Sequence, residues 1–215
     1  MKTLLKRITA VLLVLSILFV PTVFAYADDY SDDEAVVTVS LGSCIYVWPF
    51  SGHTWIYVEN LTDEPLQVGA YELPVGQGVS VGCFSFTVKD GWGLYYNLEA
   101  YRENKHDRFD THWTKTTTLN KSEFEKFSKK LLNFPNTWSP VINCATFAFS
   151  MWNSVSNDVF ISLLIPAISQ FEVIIGGGKK GVQDMYYPTR NQVLRQRGRG
   201  ENAYLEPVSD ATYDR

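Results

Sequence analysis

From residue 35 to about residue 86 the chain is a succession of short runs rich in Val, Tyr, Trp, Phe and Ile, separated by "FSGH", "NLTDEP" and "LPVGQG". β-Branched and aromatic runs bounded by turn-forming residues specify strands, and this sequence of them reads as a meander of antiparallel strands. Within it, "HTWIYVEN" and "PLQVGAYEL" form the clearest expected pair, because Asp63, Glu64 and Pro65 between them favour a turn over continued pairing. "GWGLYYNLEAY" follows and is compatible with either strand or helix, and the threonine-rich "THWTKTTTL" reads as a further strand.

Helical periodicity starts only after that meander. Asn120 is placed to cap a helix, with Glu123 three residues on in the capping-box position. Phe124, Phe127, Leu131 and Leu132 then recur at helical spacing, while Lys121, Lys126, Lys129 and Lys130 mostly occupy other faces. Pro135 and Pro140 end that helix, since neither can continue it and each restricts the residue before it. A second helix is expected from Asn143, with Phe147, Ala148, Met151, Trp152 and Val155 as its buried stripe, and a short third one from Pro166. "IGGGKKG" reads as a flexible loop. Strands first and helices afterwards define an α+β class, an antiparallel β-sheet meander with helices packed on it.

Lys2, Lys6 and Arg7 precede an uncharged apolar run, Ile8 to Phe24, which Pro21 interrupts and which is short for a membrane span. With the small-x-small pattern Ala25-Tyr26-Ala27 behind it, the segment reads as a secretory signal peptide cleaved after Ala27, with Ala25 as the alternative. The expected organisation is residues 1–27 as signal peptide, 28–34 as a disordered acidic lead-in, 35–175 as the folded domain and 176–215 as a flexible C-terminal region. The product would be secreted, extracellular or in a cell envelope, with no stable membrane span once the leader is removed. The leader takes three of the chain's 19 Lys and Arg, so the remaining chain carries 16 against 23 Asp and Glu, a net charge of −7. Nucleic acid would be repelled on average, so it is not an expected partner. Arg195, Arg197 and Arg199 in "RQRGRG" concentrate positive charge locally and are expected in a solvated, mobile tail.

Three cysteines remain, Cys44, Cys83 and Cys144, and an odd number outside the cell cannot be fully paired within one molecule. Cys44 in "SCIYVWPF" and Cys83 in "VSVGCFSF" sit in strand-like runs, where a buried thiol and a cross-strand disulfide are both ordinary. Cys144 in "NCATFAFSMWN" is differently placed. Asn143 can accept from the amides of the first turn, which puts Cys144 at the first helical position. There the unpaired N–H groups and the helix dipole favour an anion and lower a thiol from its ordinary value of about 8.5. The same amides would hold the oxygen of a tetrahedral intermediate, which makes Asn143 and the turn it caps candidate oxyanion elements. Packing is the competing explanation, because position 144 lies close to the buried stripe. His53 in "SGHTWIYVEN" opens a strand after Gly52, and alternation puts its ring on the face of Trp55 and Tyr57. A Cys at a helix start and a His at a strand entry are what a nucleophile and its base require.

On these two stretches, "GHTWIYVEN" and "NCATFAFSMWN", the chain resembles the papain-like NlpC-type amidases and endopeptidases of bacterial envelopes, in which a Cys at a helix start packs against a sheet whose strand carries the His. The order here, His53 before Cys144, is similar to the circularly permuted branch of that superfamily, which also contains lecithin:retinol acyltransferase-like enzymes. The resemblance covers residues 50 to 155. It implies a permuted papain-like cysteine hydrolase fold, Cys144 as nucleophile, His53 as base, and a thiol hydrolase cleaving an amide bond, with peptidoglycan stem peptides as the first substrate class. The family's third polar residue has no clean match: Gln67 and Glu72 lie after the His strand, and Asn97 and Glu99 share a face if "GLYYNLEAY" is extended. Asn97 and Glu99 are preferred, because polar side chains inside so aromatic a run are costly to bury without a purpose, unless they simply face water. Two other classes stay open: a lipid acyltransferase or thioesterase using the same pair, and a non-catalytic secreted binding module in which Cys144 is packing.

No cofactor is expected. His106, Asp107, Asp110 and His112 in "NKHDRFDTHW" match none of the usual zinc spacings, so no metal is expected either. "GGGKKG" lacks the spacing and the Ser or Thr of a phosphate-cradling loop, and the chain contains no Gly-x-Ser-x-Gly elbow.

Overall fold

The computed structural model describes residues 34–47, 51–85, 90–106, 112–161, 166–181 and 185–209, all within the compact unit Asp33–Arg215. The segment expected to be a signal peptide, the expected acidic lead-in up to residue 33, Asp107 and Asp110 lie outside the described residues. Strands β1 (Val37–Val47) and β2 (Ser51–Asn60) form a long antiparallel pair with Cys44 opposite His53. The expected partner of β2, "PLQVGAYEL", closes on itself instead, as β3 (Leu66–Val68) and β4 (Tyr71–Leu73) in a separate two-stranded sheet. Gly69 is the reason: its φ of +60° between Val68 and Tyr71 makes a tight turn inside the run. β2 pairs with β5 (Gly78–Phe84), and β5 with β6 (Gly93–Tyr96).

The chain then alternates helices with outer strands. Helix α1 (Leu98–His106) is followed by β7 (Trp113–Leu119), α2 (Lys121–Leu132), α3 (Cys144–Trp152) and α4 (Pro166–Ile175), then β8 (Lys179–Lys180), β9 (Leu194–Arg197) and β10 (Tyr204–Pro207). Eight strands make one antiparallel sheet in the order β10-β9-β6-β5-β2-β1-β7-β8, which with the four helices gives the α+β class among the described residues. None of these helices is long and apolar enough to cross a membrane.

The C-terminal region 176–215, expected to be flexible, supplies three of those strands. β9 lies between β6 and β10, with Val193 and Gln196 fully buried and Tyr96 Oη donating to Gln196 Oε1 at 2.9 Å. The arginines are not a mobile tail either. Arg195 is buried, donates to the carbonyls of Asp90 and Trp92, and lies over the Tyr95 ring; Arg197 pairs with Glu206, and Arg199 is exposed. The physical cause is the edge of β6, whose backbone groups need partners that β9 provides, a demand that local charge does not reveal.

Helix α2 begins as its pattern requires: Asn120 Oδ1 accepts from Glu123 N at 3.0 Å, and Glu123 Oε2 accepts from Asn120 N at 3.0 Å. Helix α3 packs on β2 and β5, with Phe147, Ala148, Met151 and Trp152 fully buried against Leu41, Ile56, Val58, Val79 and Val81. Burying Phe147, Met151 and Trp152 contributes about 1.5–3 kcal/mol each, so packing and not intrinsic propensity holds this nine-residue helix in place. Helix α1 covers the opposite face, where Ala100 meets Tyr57 and Met185. Alternation along β2 thus sends Ile56 and Val58 toward α3, and His53, Trp55 and Tyr57 toward α1.

Candidate active site

Asn143 has extended backbone, φ −122° and ψ −175°, and its Oδ1 accepts from the amides of Ala145 and Thr146 at 3.0 and 3.1 Å. Its Nδ2 donates to the Pro140 carbonyl at 3.1 Å, which ties the cap to the preceding turn. Cys144 is thereby fixed as the first residue of α3, nearly buried at 6% exposure. The cap also narrows the oxyanion role expected of this turn. It takes the Ala145 and Thr146 amides, which leaves the Cys144 amide as the first-turn donor for a substrate oxygen.

His53 and Glu99 meet inside the protein, with Nε2 2.9 Å from Oε1 and exposures of 5% and 0%. The second carboxylate oxygen of Glu99 accepts from Ser80 Oγ at 2.9 Å. Because Nε2 is committed to Glu99, Nδ1 is the ring nitrogen left for Cys144, whose proximity is the largest influence favouring charge on the ring. Phe84 at 4.4 Å and Trp55 at 5.9 Å, centroid to centroid, flank the imidazole. Burial opposes charge on the ring, but Cys144 and then Glu99 outweigh it and raise His53 from 6.5 to about 9. The imidazolium is therefore the form held at neutral pH.

His53 and Cys144 come from opposite sides of the sheet, and they meet where the sheet opens. The β2–β5 ladder stops at Trp55–Gly82, although β2 starts at Ser51 and β5 continues to Phe84. Past that pair no ladder joins β2 to β5, so a side chain from α3 has an opening toward the ring. Gly82 meets a second requirement: a Cβ there would lie 1.7 Å from Glu99 Oε1, so only glycine leaves the carboxylate room.

Asn97 does not belong to this cluster. The run "GLYYNLEAY" is not extended throughout: β6 ends at Tyr96, Asn97 turns left-handed at φ +66°, and α1 begins at Leu98. Asn97 and Glu99 consequently share no strand face. Asn97 Nδ2 donates to the Gln192 carbonyl at 3.0 Å and to Tyr71 Oη at 3.3 Å, which ties the corner to the β3–β4 hairpin and the C-terminal segment. Glu99, in the first turn of α1, is the residue brought to His53. Gln67 and Glu72 are exposed on β3 and β4. The sequence alone does not mark Ser80 and Gly82; their signal is the alternation of small residues with Val79, Val81 and Cys83, legible only once both faces of β5 are seen to be covered.

No disulfide joins the three cysteines, and all three are buried. Cys44 packs with Trp55 on one face while Cys83 lies in the core on the other, with β2 between their strands. Cys83 Sγ donates to the Thr137 carbonyl at 3.5 Å; burial, then the neighbouring Cys144 and Glu99, push its thiol up and keep it neutral. Among the described residues, no group of His, Cys, Asp and Glu is arranged to hold a metal ion. A groove of about 610 Å³ between α2 and the β3 loop, lined by Val36, Leu66, Phe124 and Leu132, shares no residue with the Cys144 cluster.

The arrangement is a Cys–His–carboxylate site built across a gap in an antiparallel sheet. Searches of protein-family models, curated proteins and solved structures find no match for this chain.

Proposed function

We propose that this chain is a secreted thiol hydrolase of permuted papain-like fold that cleaves an amide bond through Cys144, His53 and Glu99. One observation carries the reading: an imidazole held by a buried carboxylate at 2.9 Å and electrostatically coupled to a thiol at a helix start. A His strand that precedes the Cys helix in the chain supports the permuted assignment, and the signal-like leader supports an extracellular or cell-envelope location.

The Cys144 thiolate attacks the amide carbonyl, forming a C–S bond and a tetrahedral oxyanion that faces the Cys144 amide. His53 gives its proton to the departing nitrogen as the C–N bond breaks, leaving a thioester. His53 then takes a proton from water, which attacks the thioester carbonyl, and the C–S bond breaks to release the acid and restore the thiolate–imidazolium pair. Glu99 holds the ring in the orientation both transfers need and favours its protonated form.

Peptidoglycan stem peptides are the first substrate class to try. The test is incubation of the chain with a set of such peptides and mass-spectrometric detection of hydrolysis. Cleavage that disappears in Cys144→Ala is the expected result; equal cleavage by Cys144→Ala overturns the proposal.

A further inference from the structure

Glu99 has two carboxylate oxygens, and the catalytic steps use only the one on His53. The other accepts from Ser80, a fully buried residue of β5 that grips the start of α1 three times. The Ser80 carbonyl accepts from the Asn97 amide at 2.7 Å, and its Oγ accepts from the Ala100 amide at 3.3 Å while donating to Glu99 Oε2 at 2.9 Å. An ionised carboxylate only accepts, so the hydroxyl must be the donor, and the amide entering its lone-pair side orients it that way.

We propose that Ser80 is a positioning residue of this site, pinning one oxygen of Glu99 so that the other is presented to His53. The inference rests on the Cys144–His53–Glu99 reading and deepens it. A glutamate has several rotatable bonds, and one contact to an imidazole fixes a single oxygen; the second anchor stops the carboxylate turning about that contact. Ser80 therefore acts on the reaction through Glu99 and His53. The titratable and charged groups around the ring are Cys144 from α3, Glu99 from α1 and Cys44 opposite His53 on β1, with Arg102 over the Phe84 ring and His112 against Trp55.

The experiment is an NMR titration of the His53 ring protons, together with the rate of Cys144 alkylation by iodoacetamide at pH 7, in wild type, Ser80→Ala and Ser80→Cys. Urea unfolding is measured alongside. In Ser80→Ala the His53 midpoint should fall by about half a pH unit or more, and alkylation should slow by about threefold or more. Ser80→Cys, with a weaker donor in place of the hydroxyl, should shift the midpoint the same way by less, and it serves where the alanine variant does not fold. A purely structural role would lower stability without moving the midpoint; an unchanged midpoint in the folded variants overturns the proposal. Failure of the underlying triad looks different, because alkylation would then be insensitive to His53→Ala.

Discussion

Replacing Gly82 by alanine strikes the site without altering any of its three reactive side chains. The added Cβ would stand 1.7 Å from Glu99 Oε1, 2.9 Å from its Cδ and 3.1 Å from His53 Nε2, so the carboxylate has to move. Gly82 lies in the ladder opposite Trp55, and the obstacle is contact. Glu99 is fully buried and held by Ser80 on one oxygen and His53 on the other, so displacement breaks at least one hydrogen bond to a charged group. Such a bond contributes about 1.5–3 kcal/mol, and Gly82→Ala should lower the unfolding free energy by about 2–3 kcal/mol in urea titrations near pH 7. It should also withdraw the carboxylate's share in holding the His53 proton, moving the ring's NMR titration from about 9 toward 6.5. With three histidines in the chain, that spectrum is simple to assign. Gly76→Ala is the control: at φ +64° with nothing within 4 Å it introduces only backbone strain, about 1 kcal/mol, and should leave His53 alone. If Gly82→Ala unfolds at the wild-type urea concentration and His53 titrates unchanged, the carboxylate is not confined as described.

Glu99→Gln keeps the shape and loses the charge, so Cys144 alkylation at pH 7 should slow by about tenfold, followed by peptide mapping. Asn143→Ala deprives the Ala145 and Thr146 amides of their acceptor and should cost about 1 kcal/mol, whereas Asn143→Asp retains the cap; thermal unfolding separates the two. On folding His53 gains Cys144 and then Glu99 as partners that outweigh its burial and raise it from 6.5 to about 9, so the ring's NMR titration midpoint should fall in Cys144→Ala.

Where the code is local, the sequence alone reaches the structure. Asn120 with Glu123 and Asn143 before Cys144 are capping patterns spanning a few residues, and both form the bonds that the pattern describes. The α+β class is legible too, although α1 precedes β7 and three strands follow the helices, which the expected strand-then-helix order does not include. What is not legible depends on partners distant in sequence. The corner at Asn97, with its positive φ, turns a continuous aromatic run into a strand end and a helix start, and so separates Asn97 from Glu99. The turn at Gly69 pairs "PLQVGAYEL" with itself, although its residues fit a long strand equally well. Arg195 reads as solvated charge and is buried because β6 recruits β9 across about a hundred residues. Ser80 is a small polar residue in an apolar strand until α1 is laid over it.

The most direct test of the site is the pH profile of Cys144 alkylation by iodoacetamide in wild type and in His53→Ala, each normalised to its own high-pH plateau. A thiolate sustained by the His53 imidazolium gives a wild-type profile still reactive at pH 6–7, and a His53→Ala profile that rises only near the ordinary thiol value of about 8.5. Two superimposable profiles, both rising only above about pH 8, would contradict a catalytic Cys144–His53 pair and leave Cys144 as a packed residue at the start of α3.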